Sequence, residues 1–173
     1  MGDPQRVVSR LASAEDAFEH ADGRPRFEPG LNARPDAEPG EVQIQKACRL
    51  LELSGTLDEL GAYYGAILEH SFMAIEQTLQ GYLLAVTGVD ERELRDHTQP
   101  YELAKGRVPL SEETIDRLVR LYDARRTDHY YGTTVTTAQQ ADRMQAVARA
   151  VHDYILQFDP EIGRFCNCPT ADH

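Results

Sequence analysis

The chain has 173 residues, 41% of them hydrophobic, with 18 Lys plus Arg against 29 Asp plus Glu and a formal charge of −11. That length suits one domain with a real core, and the absence of any 18-residue apolar run excludes a transmembrane helix. An N-terminus with Asp3 and Pro4 and no apolar segment argues against a signal peptide and for a cytoplasmic protein.

Only Lys46 and Lys105 are lysines. An acid-rich, lysine-poor chain fits a salt-adapted cytosol, and GC-rich coding gives the same bias. The net charge opposes long-range steering of nucleic acid, although at ~1 M salt the Debye length falls to ~3 Å and only the local placement of Arg matters. Three cysteines, Cys48, Cys166 and Cys168, do not make a disulfide framework and suit a reducing compartment.

Residues 1–40 hold five of the nine prolines and read as an irregular arm, with one short amphipathic helix on Val7, Val8, Leu11 and Phe18. From residue 41 the pattern turns helical. Val42, Ile44, Ala47, Leu50, Leu51 and Leu53 form a first stripe, which Gly55 is expected to end. Thr56 with Glu59 reads as a capping box opening one long helix to Gly88, with Leu60, Tyr64, Ile67, Leu68, Phe72, Ile75, Leu79 and Leu83 inside.

Asp90 with Glu93 caps a shorter helix that carries Leu94 and His97 and stops before Pro100. Ser111 opens the next, on Ile115, Leu118, Val119 and Tyr122, and Gly132 closes it. Thr137 with Gln140 caps the last, whose stripe of Met144, Val147, Ala148, Val151, Tyr154, Ile155 and Phe158 runs into Pro160. The expectation is an all-α fold: an antiparallel bundle of four to five helices over 41–160, an arm over 1–40 and a tail over 161–173.

The informative segment is Arg125-Arg126-Thr127-Asp128-His129-Tyr130-Tyr131. Continuing the stripe of Ile115, Leu118 and Tyr122 by helical steps puts Arg125, Arg126 and His129 where core residues are due. A buried guanidinium either pairs with a carboxylate or marks a groove that handles an anion. Both readings stand at this level: Asp123 or Asp128 supplies a partner, and His129 at a helix C-terminus is favoured by ~0.3–1 kcal/mol.

The region from Leu57 to Phe158 resembles the HEPN family of all-helical bundles found in toxin-antitoxin modules, RNases and nucleotidyltransferase-associated proteins. The likeness rests on Gly61-Ala62-Tyr63-Tyr64-Gly65-Ala66, the Gly88 turn, Asp96-His97, Leu121-Tyr122-Asp123-Ala124-Arg125-Arg126 and His129-Tyr130-Tyr131-Gly132. Active members carry an Arg, then four to six residues, then a His and often a Tyr soon after. Here three residues separate Arg125 from His129, and Tyr131 follows by two.

The resemblance implies metal-independent RNA cleavage in a toxin-antitoxin or defence module, with Arg125 and His129 catalytic and Arg126, Tyr130 and Tyr131 holding substrate. It also implies a homodimer, a nucleotidyltransferase partner and no cofactor. A non-catalytic bundle that binds a nucleotide, RNA or a partner protein is the alternative. At i and i+4 on one helix, Arg125 and His129 can reach one phosphate.

Cys166-Asn167-Cys168 with His173 offers soft-metal donors, but with Cys48 assigned to a helix stripe the sequence reads as a tail with two free thiols and no metal.

Overall fold

The computed structural model describes residues 4–19, 36–131, 134–166 and 168, with side chains 126–131 outside that description. The elements are α1 (Pro4–Glu19), α2 (Pro39–Glu59), α3 (Tyr64–Tyr82) continued by a π turn (Leu83–Thr87), a 3₁₀ turn (Glu91–Leu94), α4 (Gln99–Ala104), α5 (Glu112–Tyr131), α6 (Ala138–Phe158) and α7 (Pro160–Gly163). No strand occurs among the described residues. The all-α expectation holds, and the arm helix runs the full length of α1 with its side chains from Gln5 to Glu19 exposed.

Helix α3 is the centre. It packs against α2, α6 and α4 and is buried on nearly all sides from Ile67 to Tyr82, as expected of a helix with neighbours all round. Ile67, Ile75 and Leu79 are fully enclosed, alongside Ile44 of α2, Ile115 of α5 and Ile155 of α6. Its enclosed hydroxyls are satisfied within the helix: Ser71 donates to the Ile67 carbonyl and Thr78 to the Ala74 carbonyl, both at 2.7 Å. The buried Glu76 carboxylate accepts from Gln80 at 3.2 Å and lies 3.1 Å from His97 Nδ1.

Two boundaries differ from the sequence reading. Gly55 does not end α2, which runs on to Glu59. Thr56 does not cap a new helix, because its hydroxyl donates back to the Glu52 carbonyl at 3.2 Å, the bond a mid-helix Thr makes. The break comes at Gly61, where φ is +62 and only glycine is unstrained, followed by Tyr63 at φ 63. What read as one long helix from Thr56 is therefore the end of α2, a corner and α3.

The second difference lies at Pro100. Asp90 and Glu93 do form their capping box, but around the short 3₁₀ turn. Pro100 opens α4 instead of stopping a helix before it, since a proline in the first turn has no intrahelical donor to lose. His97 consequently sits between the two elements and turns to Glu76 rather than to Asp96, whose carboxylate caps Thr98 N at 3.1 Å. The Thr137–Gln140 box opens α6 as read, and Ser111 Oγ accepts from Thr114 N at the start of α5. Gly132 lies outside the described residues.

Helices α2 and α3 approach closely at Gly40 and Gly81. A Cβ on Gly40 would meet Ala85 Cβ at 2.9 Å and the Gly81 carbonyl oxygen at 3.0 Å. Backbone cannot yield there as a flexible side chain would, so Gly40→Ala is expected to lower stability by about 1–3 kcal/mol through overpacking. The check is the urea midpoint by circular dichroism; an unchanged or raised midpoint contradicts this close packing.

Candidate functional site

Two places on the bundle gather chemistry-bearing side chains. The first is the groove between α3, α5 and α6. Arg125 is half-buried and lines two adjoining hollows. One, of about 280 Å³, is bordered by Thr134, Thr136, Thr137 and Gln140; the other, of about 300 Å³, has an apolar floor of Leu68, Phe72, Met144 and Val147 with Arg143 at its edge. Arg125 thus continues the α5 stripe at the point where the stripe leaves the core. Ile115 and Leu118 are buried and Tyr122 packs edge-on to Phe72, with ring centroids 5.3 Å apart.

The remaining motif residues, Arg126, His129, Tyr130 and Tyr131, belong to the last turns of α5, and their side chains lie outside the described residues. Among the other tyrosines, Tyr63 is exposed, whereas Tyr122 also packs on Tyr101 in the core. Burial pushes the Tyr101 hydroxyl far above its ordinary value. A larger cleft of about 710 Å³ beside the π turn brings Glu38, Glu41, Asp90 and Glu91 together with Arg92 and Arg95. Acids outnumber arginines there, so it does not suit an anion.

The second place was not anticipated as a unit. Cys48 of α2, His152 of α6, and Cys166 and Cys168 beyond α7 bring four ligand atoms within 4.8 Å of one another. His152 is fully enclosed and Cys48 nearly so. His152 Nε2 lies 3.4 Å from Cys48 Sγ, 3.3 Å from Cys166 Sγ and 3.6 Å from Cys168 Sγ. The amide of Cys168 donates to Cys166 Sγ at 3.2 Å, and the Cys48 and Cys166 sulfurs are in direct bonding contact.

The other imidazole nitrogen decides the orientation. His152 Nδ1 is 2.8 Å from Thr78 Oγ1, and the Thr78 proton already goes to the Ala74 carbonyl. Thr78 can therefore only accept, Nδ1 must carry the hydrogen, and the Nε2 lone pair faces the three sulfurs. Burial and then the nearby Arg149 guanidinium lower the His152 pKa to about 4, so the ring is neutral. Burial raises the Cys168 thiol to about 11, with Arg149 and Arg49 acting in the opposite direction.

The tail is therefore not frayed at its cysteines: Cys166 and Cys168 are half-buried against the core. The expected companion, His173, lies outside the described residues. Sequence spacing missed this group because Cys48 and His152 are 104 positions apart, Cys48 sits on a helix stripe and His152 lies beside the apolar stripe of its own helix. The available signal was the Met144, Ala148, His152 register, which carries an imidazole into the core at i+8.

Residues 2–168 match the family described as Domain of unknown function (DUF8154). The chain belongs to that family. The matched span takes in Arg125, His129 and all four of the converging Cys and His residues. No curated protein and no solved structure matches the chain. No helix among the described residues is long and apolar enough to cross a membrane.

Thr78→Val keeps the shape of the side chain and removes the acceptor, leaving a buried N–H unpaired. It is expected to cost about 1–3 kcal/mol, read by urea denaturation, while Thr78→Ser stays near wild type. Equal stability of the Val and wild-type chains would show that the Thr78–His152 bond contributes nothing.

Proposed function

We propose that this chain is an HEPN-like helical domain that binds single-stranded RNA in the groove between α3, α5 and α6. The observation that carries the reading is the pairing of Arg125 and Arg143 with an apolar floor in one open groove. A nucleotide presents that combination: a flat base for the exposed Leu121 and Val147, and a phosphate for the two guanidiniums. Guanidinium groups also suit phosphate better than lysine does, because they bind it through two parallel hydrogen bonds.

The negative net charge does not oppose this over short range, since exposed charges are screened beyond a Debye length of ~8–10 Å in ordinary salt. Binding should accordingly depend on local contacts and be steeply salt-sensitive. A second subunit fits the same reading, because the likeness to the HEPN family implies a cleft shared by two copies. Light scattering at twice the 19.4 kDa chain mass is expected.

Cleavage is the catalytic form of this proposal. The ribose 2′-oxygen attacks the adjacent phosphorus, His129 takes its proton, and Arg125 stabilises the phosphorane charge. The bond to the 5′-oxygen then breaks, and that oxygen leaves with a proton returned by the imidazolium. The products are a 2′,3′-cyclic phosphate and a 5′-hydroxyl. The non-catalytic alternative keeps the Arg groove and omits the proton transfer.

With a fluorescent RNA oligomer, Arg143→Ala should weaken binding across sequences and reduce the slope of log affinity against log salt by about 0.7 for each phosphate no longer neutralised. RNA affinity unchanged in both Arg125→Ala and Arg143→Ala removes the groove from the proposal. If the chain cuts RNA, His129→Ala should slow cutting about 10²–10⁴-fold and the ends should be cyclic. Binding without cutting selects the non-catalytic alternative.

A further inference from the structure

We infer that Cys48, His152, Cys166 and Cys168 form a closed Cys₃His site for one zinc ion, which ties the C-terminal segment to α2 and α6. Nothing in the groove reading requires it, and the two stand or fall separately.

The donor chemistry comes first. Three sulfurs and one imidazole nitrogen are a soft set, of the kind that selects zinc over hard cations. Distances agree with one shared ion. Zinc binds sulfur at about 2.3 Å and imidazole at about 2.0–2.1 Å, so in a tetrahedron the nitrogen stands about 3.6 Å from each sulfur. The three separations from His152 Nε2 are 3.4, 3.3 and 3.6 Å. An ion at their centre also requires the Cys48 and Cys166 sulfurs to part from bonding contact to about 3.8 Å, the separation of two sulfurs each about 2.3 Å from a tetrahedral zinc.

The surroundings are those of a ligand set and not of a chance cluster. A metal-binding histidine commonly donates its second nitrogen to a fixed acceptor, which sets the tautomer. Thr78 is such an acceptor, itself locked by its bond to the Ala74 carbonyl. The Cys168 amide donates to Cys166 Sγ at 3.2 Å, a bond that favours the thiolate over the thiol. Three thiolates around a dication leave one net negative charge. Arg149 is placed to offset it, anchored by its bond to the Leu51 carbonyl at 3.1 Å and acting electrostatically on both His152 and Cys168.

A disulfide between Cys48 and Cys166 is the competing account of the same atoms. It uses two of the four donors. The Nε2 lone pair then keeps only the Cys168 thiol, at 3.6 Å, as a hydrogen-bond donor, whereas a metal uses all four. A disulfide is also uncommon in a reducing compartment, where gathered cysteines more often serve a metal.

The site's role follows from its geometry. All four positions are filled by protein, leaving no open place for water or substrate, so the ion is structural. It bridges ligands up to 120 residues apart in sequence, closing the chain around α3 from Cys48 to Cys168. Folding of the tail should therefore be coupled to metal.

The test uses the full chain purified under reducing conditions. Native mass spectrometry should show one zinc per chain. Cobalt substituted for zinc should give red d–d absorption of tetrahedral type and a thiolate charge-transfer band in the near ultraviolet. Cys168→Ser, which removes one of the four donors, should shift the cobalt spectrum. Thr78→Val should weaken zinc affinity about 10–100-fold, with Thr78→Ser restoring it. Three results overturn the inference: a folded, reduced chain that takes up no zinc or cobalt; metal uptake with a cobalt spectrum that Cys168→Ser leaves unchanged; or a Cys48–Cys166 disulfide, found by peptide mapping, that survives reductant and excludes metal.

Discussion

The constraint on which the structure depends is the burial of α3 on nearly every side. A helix so enclosed has no water for its polar side chains, and each of these must find its partner in protein or be left at a cost of about 1–3 kcal/mol. Ser71 and Thr78 meet this by bonding to carbonyls one turn back, and Glu76 by gathering Gln80 and His97. Thr78 has an acceptor lone pair left over. That lone pair sets the tautomer of His152 and aims its other nitrogen at three sulfurs.

The same enclosure explains where the bundle is open. Helix α5 buries Ile115 and Leu118 in the core and sets Tyr122 edge-on to Phe72 of α3, and its stripe then reaches the half-buried Arg125. Beside it the buried Leu68, Phe72 and Met144, with the more exposed Leu121 and Val147, line the groove. The apolar lining and the two guanidiniums come from three helices, α3, α5 and α6. The proposed zinc site involves different faces, those of α2 and α6 with the tail, so loss of one site need not impair the other.

The corners of the fold show which local signals tertiary structure overrides. Gly55 is a reasonable helix end in isolation, yet α2 continues to Glu59 with Leu57 half-buried, since one glycine inside a helix costs only about 1 kcal/mol. Thr56 has the residue type of a cap but the backbone of a helix interior, so its hydroxyl turns to Glu52. Where the sequence offers both the cap and the right backbone, as at Asp90 and Thr137, the box forms.

The sequence by itself determined the helical class, most of the core and the starts of α5 and α6, because apolar periodicity and capping are short-range and survive in one dimension. It also determined that Arg125 stands at the edge of a core stripe. Only the tertiary structure decided that the break lies at Gly61, that Pro100 opens a helix, and that Arg125 shares a groove with Arg143 of α6. The Cys and His cluster belongs wholly to the tertiary level. Cys48 reads as an ordinary stripe position and His152 as a residue beside the apolar stripe of its helix, because a helical period reports which face a residue takes and not what stands opposite. Only packing α2 and α6 around α3, with the tail folded back, brings their donor atoms to one point.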